Sequence, residues 1–399
     1  MKLVEFKEFN NTNEEKKINK KKIVITVIIS VVMALILIFL LLYMYNKNFR
    51  DWADLHVLMK TVSEGTLSSI DIDSRESSEI YVYDKYIAIV NADRLDIYNS
   101  SGKQISSIDV NINNPIFDSN GRYLVIGDKG KQKVYLISGT KIVWNNDIDG
   151  SVSRVSVNEN GYVSVVCTGS TYKSIVGVYS PSGAQLFRTF IPNNSVVDST
   201  VSSDNKFLSF AEIDSSKTAI ESTVKTISIK DASESSKEST INTYSLPINS
   251  LVINLRYHGS KNILCMCDDG INILSDGNIQ KVVNFEEENK KYGYAGINLA
   301  NTYYVLEESS EGISNQATDV LLTNSGTKKQ NKYRIDGIAK ETSSSDDNIA
   351  INLGSEVYFI NTRGWLIKKY TANQEIRKVI VSDRVAAIVF RDKIEILIL

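Results

Sequence analysis

Few side chains in this sequence have the types and spacings that catalysis requires. There are only 2 His among 399 residues, His56 and His258. A Ser–His–Asp relay needs a positioned base, usually His, and His56 falls in a stalk-like segment. The Cys count is 3. Cys265 and Cys267 are two apart, so on a strand they share a face. With no imidazole nearby in sequence, they read as small core hydrophobes rather than a metal or redox pair. Asp147-Ile148-Asp149-Gly150 and Asp71-Ile72-Asp73 look like fragments of a calcium loop. Calcium takes about six to eight oxygens, and neither run supplies them, so both read as solvated turns. Asp268-Asp269 could serve a glycosidase, but it falls at a strand-to-strand turn, where Asp is at home. Neither GxGxxG nor GxxxxGK[ST] is present. No catalytic residue, metal or cofactor is expected.

The chain is 42% hydrophobic and 23% charged, an ordinary globular composition. Residues 1–22 carry seven Lys against four Glu, about +3, which leaves about −5 of the net −2 for the remainder. A mildly acidic main domain argues against nucleic acid, whose phosphates demand a basic footprint.

Residues 23–45, IVITVIISVVMALILIFLLLYMY, hold no charge. At about 1.5 Å per residue such a helix crosses a hydrocarbon layer of about 30 Å. A cleaved signal peptide has a shorter apolar core and a small-residue exit; this run ends in Tyr43-Met44-Tyr45, as an uncleaved anchor would. Lys16, Lys17, Lys20, Lys21 and Lys22 precede it, so the positive-inside rule puts residues 1–22 in the cytoplasm as a Lys-rich tail and the rest of the chain outside. After the span, Trp52, Leu55, Met59 and Val62 recur at helical spacing, and Gly65 can end a helix. Residues 46–64 are therefore expected to form a juxtamembrane helical stalk.

The remainder, 65–399, repeats. A strand, a Ser/Asn/Asp–Gly turn and a second strand return at RLDIYNSSGKQI (94–105), KVYLISGTKI (133–142), IVGVYSPSGAQL (175–186), INILSDGNI (271–279), DVLLTNSGTKK (319–329) and EVYFINTRGWLI (356–367). Glycine supplies the positive φ such turns need. The turn glycines, Gly102, Gly139, Gly183, Gly277, Gly326 and Gly364, are spaced 37, 44, 94, 49 and 38 apart. The 94 spans about two repeats; TVKTISIKD (223–231) supplies the missing strand, and the Ser-rich run SESSKEST (233–240) replaces the tight turn. Upstream of each hairpin lies another turn-bounded strand, such as SNGRYLVIG (119–127) or ENGYVSVVCT (159–168). Four antiparallel strands, a to d, recurring at about 40 residues make a propeller blade.

The ends support closure. Residues 382–399 supply strands b and c of a last blade, and the sequence ends before strand d. Residues 65–72, GTLSSIDI, echo 102–110, GKQISSIDV, which is a d strand. An N-terminal d strand completing the C-terminal blade removes the exposed edges of an open ring. The count of c strands gives an all-β, eight-bladed propeller, or seven blades if 196–248 is not a full one.

The pattern of apolar strand, Ser/Thr-x-Gly and second strand resembles quinoprotein-like and WD40-like propellers. With the Lys-rich start and single anchor, the chain looks like a family of uncharacterised, single-pass, membrane-anchored propellers of Gram-positive bacteria. The resemblance implies a fold and a location, not a reaction. Trp52, Trp144 and Trp365 do not recur at one blade position as in true quinoproteins, and the WD40 Gly-His and Trp-Asp pairs are missing.

Two functions are open. The first is a non-enzymatic binding or scaffolding module at the cell surface, with envelope assembly as one setting, whose partners are the bilayer through 23–45 and another cell-surface or membrane protein. The second is an extracellular hydrolase of glycans or peptides, using carboxylates that converge at the central channel. Three or more carboxylates there would favour it; a narrow, uncharged channel would favour the first. Most b–c connections are minimal, as at Asn91-Ala92-Asp93, Asp268-Asp269, Gly354-Ser355 and Arg391-Asp392. Three are expected to be long loops: 168–174, 213–222 and 307–318. In a propeller these project from one face, and long loops in compact domains are often functional. That face is the expected partner site, with Tyr172 as anchor and Lys173, Ser215, Lys217, Glu308 and Glu311 beside it.

Overall fold

The computed structural model describes residues 20–73, 78–216, 218–234, 239–310 and 316–399. The chain divides into two units, residues 1–59 and 60–399. In the first, a helix spans Lys20–Tyr45 and a second spans Lys47–His56, capped by the Asn46 side chain on the Phe49 N–H at 3.0 Å. Within the first helix, Val24–Tyr45 has a mean hydropathy of 3.3 and is long and apolar enough to cross a membrane. Most of the Lys-rich tail lies outside the described residues.

The second unit is an eight-bladed propeller of four-stranded antiparallel blades. The blades occupy 79–109, 115–147, 151–191, 195–245, 252–284, 291–336, 341–371 and 378–398. Strand a of each blade packs against strand a of its neighbours around the axis, and strand d is outermost. Blade 8 takes its d strand from Ser68–Asp71, which pairs antiparallel with Lys393–Ile398 and sets Ile70 opposite Ile394. The echo between 65–72 and 102–110 thus marks the closing strand.

Near-continuous apolar runs such as YLVIG and VSVVC form b strands covered on both faces, as buried strands must be. The core lies between blades. Eight hydrophobic clusters each join two adjacent blades: for example, Leu95 and Ile97 of blade 1 meet Leu124 and Ile126 of blade 2. Cys265 and Cys267 are buried in the cluster between blades 4 and 5. Burial of a Leu- or Ile-sized side chain contributes about 1.5–3 kcal/mol, so each seam is a substantial share of the fold's cohesion.

Three expectations are corrected. The helix expected over 46–64 ends at His56; Met59 adopts a left-handed φ of 47°, and Thr61–Ser63 becomes a strand. It pairs parallel with Leu366–Thr371, giving blade 7 a fifth strand. The reason is that the edge of blade 7 offers backbone partners to a segment whose β-branched Thr61 and Val62 favour extension. Next, 307–318 is not a long loop. Thr302–Ser310 and Gln316–Asn324 are long paired strands, with residues 311–315 between them outside the described set. The run Glu307–Ser310 is polar, but its backbone continues the ladder. Finally, Gly326 is not the left-handed residue of its turn; Lys328 is, at φ 61°.

Candidate functional site

The b–c loop of blade 3 is residues 169–173, between Val163–Thr168 and Ser174–Tyr179. Tyr172 is 37% exposed there, its ring 4.8 Å from that of Phe190, which is 45% exposed on the d strand Gln185–Ile191. The Arg188 guanidinium lies 5.6 Å from the Phe190 ring and 3.0 Å from Asp149. Nothing in the sequence distinguishes Phe190 from other alternating strand residues; its exposure comes from its place at the rim.

This aromatic pair borders a cleft of about 960 Å³ between strand d of blade 3 and the face of blade 4. Phe187, Phe210 and Ile227 give it apolar walls. Glu212 is buried beside it, held by Lys225 at 3.0 Å and Asn194 at 2.9 Å. Asp214 and Ser216, at the b–c connection of blade 4, line its end. The outer edge of Gln185–Ile191 pairs with no other strand among the described residues.

Of the expected partner residues, Tyr172 and Lys173 share the blade 3 loop, and exposed Ser215 starts the blade 4 loop, residues 215–220, beside the same cleft. Lys217 and Glu311 lie outside the described residues. Glu308 stands apart, on strand b of blade 6, opposite Thr318 and ion-paired to Lys291 at 2.6 Å.

The channel is charged. Arg256 of blade 5 reaches Asp118 of blade 2 through Nη1, at 3.2 Å from both carboxylate oxygens. Asp118 also accepts from the Val157 N–H at 2.9 Å. Arg154 of blade 3 pairs with Asp198 of blade 4 at 3.0 Å, and Asp198 accepts from the Leu255 N–H at 2.8 Å. Burial pushes the Asp198 carboxyl upward, opposed by Arg154 and backbone donors. Asp346, at the a–b turn of blade 7, is also raised by burial, with Arg256 opposing. At least three carboxylates among the described residues therefore stand at the channel, enough to favour hydrolysis by the criterion above. Two of them are fully engaged as struts between blades.

His258 is also a joint. Its Nδ1 lies 3.0 Å from the Ser325 hydroxyl and its Nε2 3.0 Å from the Ile297 carbonyl, both in blade 6. Burial pushes the imidazole down to about 4, so it is neutral at pH 7. Asp268 and Asp269 serve their turn: Asp268 accepts from Leu251 N–H, and Asp269 from Ser250 and Lys281, each at 2.8 Å.

A family model described as "Family of unknown function (DUF5711)" matches residues 60–399. The chain belongs to this family. The match begins at Lys60, where the propeller unit begins, so the family is defined on the propeller together with its fifth strand on blade 7. No curated protein sequence matches the chain significantly. Among solved structures, the C-terminal WD40 domain of Sif2 is similar at 11% identity and TM-score 0.53, covering 84% of this chain and 99% of that one. BamB from Moraxella catarrhalis is similar at 12% identity and TM-score 0.46, covering 84% and 99%. Apo AztD from Citrobacter koseri is similar at 10% identity and TM-score 0.45, covering 75% and 87%. The Sif2 likeness shows a propeller fold and nothing further.

Proposed function

We propose that this DUF5711 protein is a binding or scaffolding propeller held at the outer face of a cell membrane by the helix Val24–Tyr45, without catalytic activity. The observation that carries the reading is the rim cleft between blades 3 and 4, with its exposed Tyr172–Phe190 pair and an unpaired strand edge. Aromatic anchors give large contact area at low entropic cost. A free edge beside apolar walls suits an extended segment of a partner protein, which adds a strand and seats alternate side chains. The chain makes such a pairing with itself, where Thr61–Ser63 lies along the d strand of blade 7. Lys21 and Lys22 before the apolar run support a cytoplasmic N-terminus. The hydrolase reading draws on the channel carboxylates, but it needs a free acid–base pair, and Asp118 and Asp198 are held by arginines.

The test is a photo-crosslinking residue at position 173, activated on intact cells, with the crosslinked peptide identified by mass spectrometry. One surface or membrane protein, crosslinked through an extended segment, is the expected product. Combining Tyr172→Ala with Phe190→Ala should lower its yield at least tenfold, since anchors of this kind are each worth about 1–2 kcal/mol. Undiminished yield from a folded double variant would place the partner site elsewhere.

A further inference from the structure

The face opposite the Tyr172 loop carries the a–b turns, and there the channel mouth widens into a second cavity of about 230 Å³. Blades 2 to 7 each contribute to it through their a–b ends. Its floor is Arg256, already committed through Nη1 to Asp118 and through Nη2 to the Ser119 carbonyl at 3.4 Å. Its rim carries Asn120, Asn298 and Asn301, none of whose side-chain amides bonds to another described residue. The Asp346 carboxylate in its wall accepts one bond, from the Ser345 hydroxyl at 3.3 Å.

The backbone that carries these groups is fixed in place. The Ala300 N–H donates to the Asp346 carbonyl at 2.6 Å, and the Ser325 N–H donates to the Asn301 carbonyl at 2.8 Å. Leu299 bridges to Asp346, and His258 bonds the Ile297 carbonyl. Asn301 and Asp346 hold left-handed φ values of 47° and 50°, which Asn and Asp tolerate better than most residues. The turn of blade 6 is thereby bolted to blades 5 and 7, and the rim backbone needs little ordering on binding.

The chemistry narrows the ligand. An anion would meet Asp346, Glu159 and Asp118 and find a single guanidinium already paired. A simple cation would meet that guanidinium at the floor. An apolar ligand would strand the free amides and the carboxylate without partners. A hydroxyl both donates and accepts, and so does a carboxamide; a carboxylate takes two hydroxyl donors. The cavity is smaller than the range of about 300–1,000 Å³ typical of drug-sized pockets, so it fits one ring rather than an oligomer along its length.

We infer that the a–b mouth of the channel is a binding site for a single uncharged sugar ring, recognised by Asp346, Asn298 and Asn301 above the Arg256–Asp118 pair. The site is independent of the rim cleft between blades 3 and 4 and does not rest on that cleft having a partner.

The test uses the full chain in a sugar-free detergent with methyl hexopyranosides, glucoside and N-acetylglucosaminide, as probes in saturation-transfer NMR. Transfer to ring protons with millimolar affinity is expected, the range for so small a ligand. Asp346→Asn keeps the shape and the tolerance for positive φ, and should weaken binding about five- to tenfold. Asn298→Ala alters an exposed side chain and should weaken it a few-fold. Choline and inorganic phosphate at equal concentration should not displace the hexoside. No transfer to either hexoside would overturn the assignment. Equal binding by both variants, or displacement by choline or phosphate, would also overturn it.

Discussion

The seam between blades 7 and 8 and the gap between blades 3 and 4 are built from the same parts and finished differently. Both have a packed cluster at their middle strands: Val357, Phe359, Ala386 and Ile388 at the first, Val176, Leu208, Phe210 and Ile227 at the second. Blades fan outward from the axis, so their outer strands diverge and the gap must be filled or left. At blades 7 and 8 it is filled. Thr61–Ser63 covers the edge of blade 7, and Val62 and Leu67 pack into the seam. Beneath them, buried Glu395 accepts from the Gly65 N–H at 2.9 Å, the Tyr370 hydroxyl at 2.8 Å and the Lys393 ammonium at 2.7 Å. Glu64 accepts from the Asn373 N–H at 2.9 Å, from Gln374 at 2.7 Å and from Lys393 at 2.9 Å. At blades 3 and 4 no strand among the described residues pairs with the edge of Gln185–Ile191; the short helix Ile229–Glu234 packs against that strand, and Phe190 is left half-exposed. The difference teaches that rim covering is a separate layer of construction from blade packing: an added strand covers the edge where the ring closes, and a single short helix covers it in part where the cleft lies.

The largest effect should come from undoing the closure. Replacing Ser68–Asp71 by a Gly-Ser sequence of equal length removes the d strand of blade 8 and the burial of Ile70, which is 5% exposed. The last blade then presents a bare edge, and the protein should aggregate on purification or melt at least 10 °C lower. The same replacement of Thr61–Ser63 removes three residues of parallel pairing from the outside of an already complete blade. It should cost only a few degrees. Equal melting for the two would break the distinction between closing strand and covering strand.

Those two strands also show what a sequence can and cannot display. The closing strand is legible because it repeats a d-strand pattern, GTLSSIDI against GKQISSIDV. The covering strand has three residues, no alternation to read, and a partner about 300 positions away. The blade count follows from the number of c strands, whose turn glycines mostly do adopt positive φ, such as Gly102 at 75° and Gly364 at 74°. The rim cleft was half legible. Tyr172 stood out as an aromatic in a loop, whereas Phe190 and Arg188 look like ordinary strand residues until the divergence of blades exposes them. The struts of the channel were not legible at all, since Arg256 and Asp118 meet across 138 positions. Glu308 misled because a polar strand extension has the composition of a loop.

An intermediate effect should come from the joint between blades 5 and 6, which sharpens the claim that inner seams carry stability. His258 is buried and neutral, its imidazole pushed down to about 4 by burial. In the unfolded chain its pKa is about 6.5. Between these values the unfolded state takes up a proton that the native state refuses. The contribution is therefore complete above pH 6.5 and is lost as the pH falls through 4, up to about 3 kcal/mol. Denaturant unfolding of the full chain at pH 7.0 and 4.5 should show this loss against a His258→Gln reference. The variant should be less stable at pH 7.0, because the two bonds to blade 6 are disturbed, yet change less on acidification. An identical pH response in both proteins would remove His258 from the account.

The smallest effect, and the sharpest test of the comparison, concerns the partly covered rim. Phe190→Ala removes a side chain that is 45% exposed and rests mainly on Tyr172 and Arg188 at the surface. The water-accessible part of the ring contributes nothing to folding, and the surrounding cleft is already open, so no cavity is created. Loss of the aromatic pair and of part of the buried area should cost less than about 1 kcal/mol. Ile70→Ala, on the closing strand, removes a side chain only 5% exposed from the cluster joining blades 8 and 1 and should cost about 2–5 kcal/mol. Chemical denaturation of the two variants side by side reads the ratio directly. If Phe190→Ala costs as much as Ile70→Ala, the aromatic pair is part of the packed blade rather than an exposed anchor. The cleft would then be only the gap that fanning blades leave. If the cost is small, Phe190 keeps its exposed position for a reason other than folding, and a partner strand along Gln185–Ile191 supplies one.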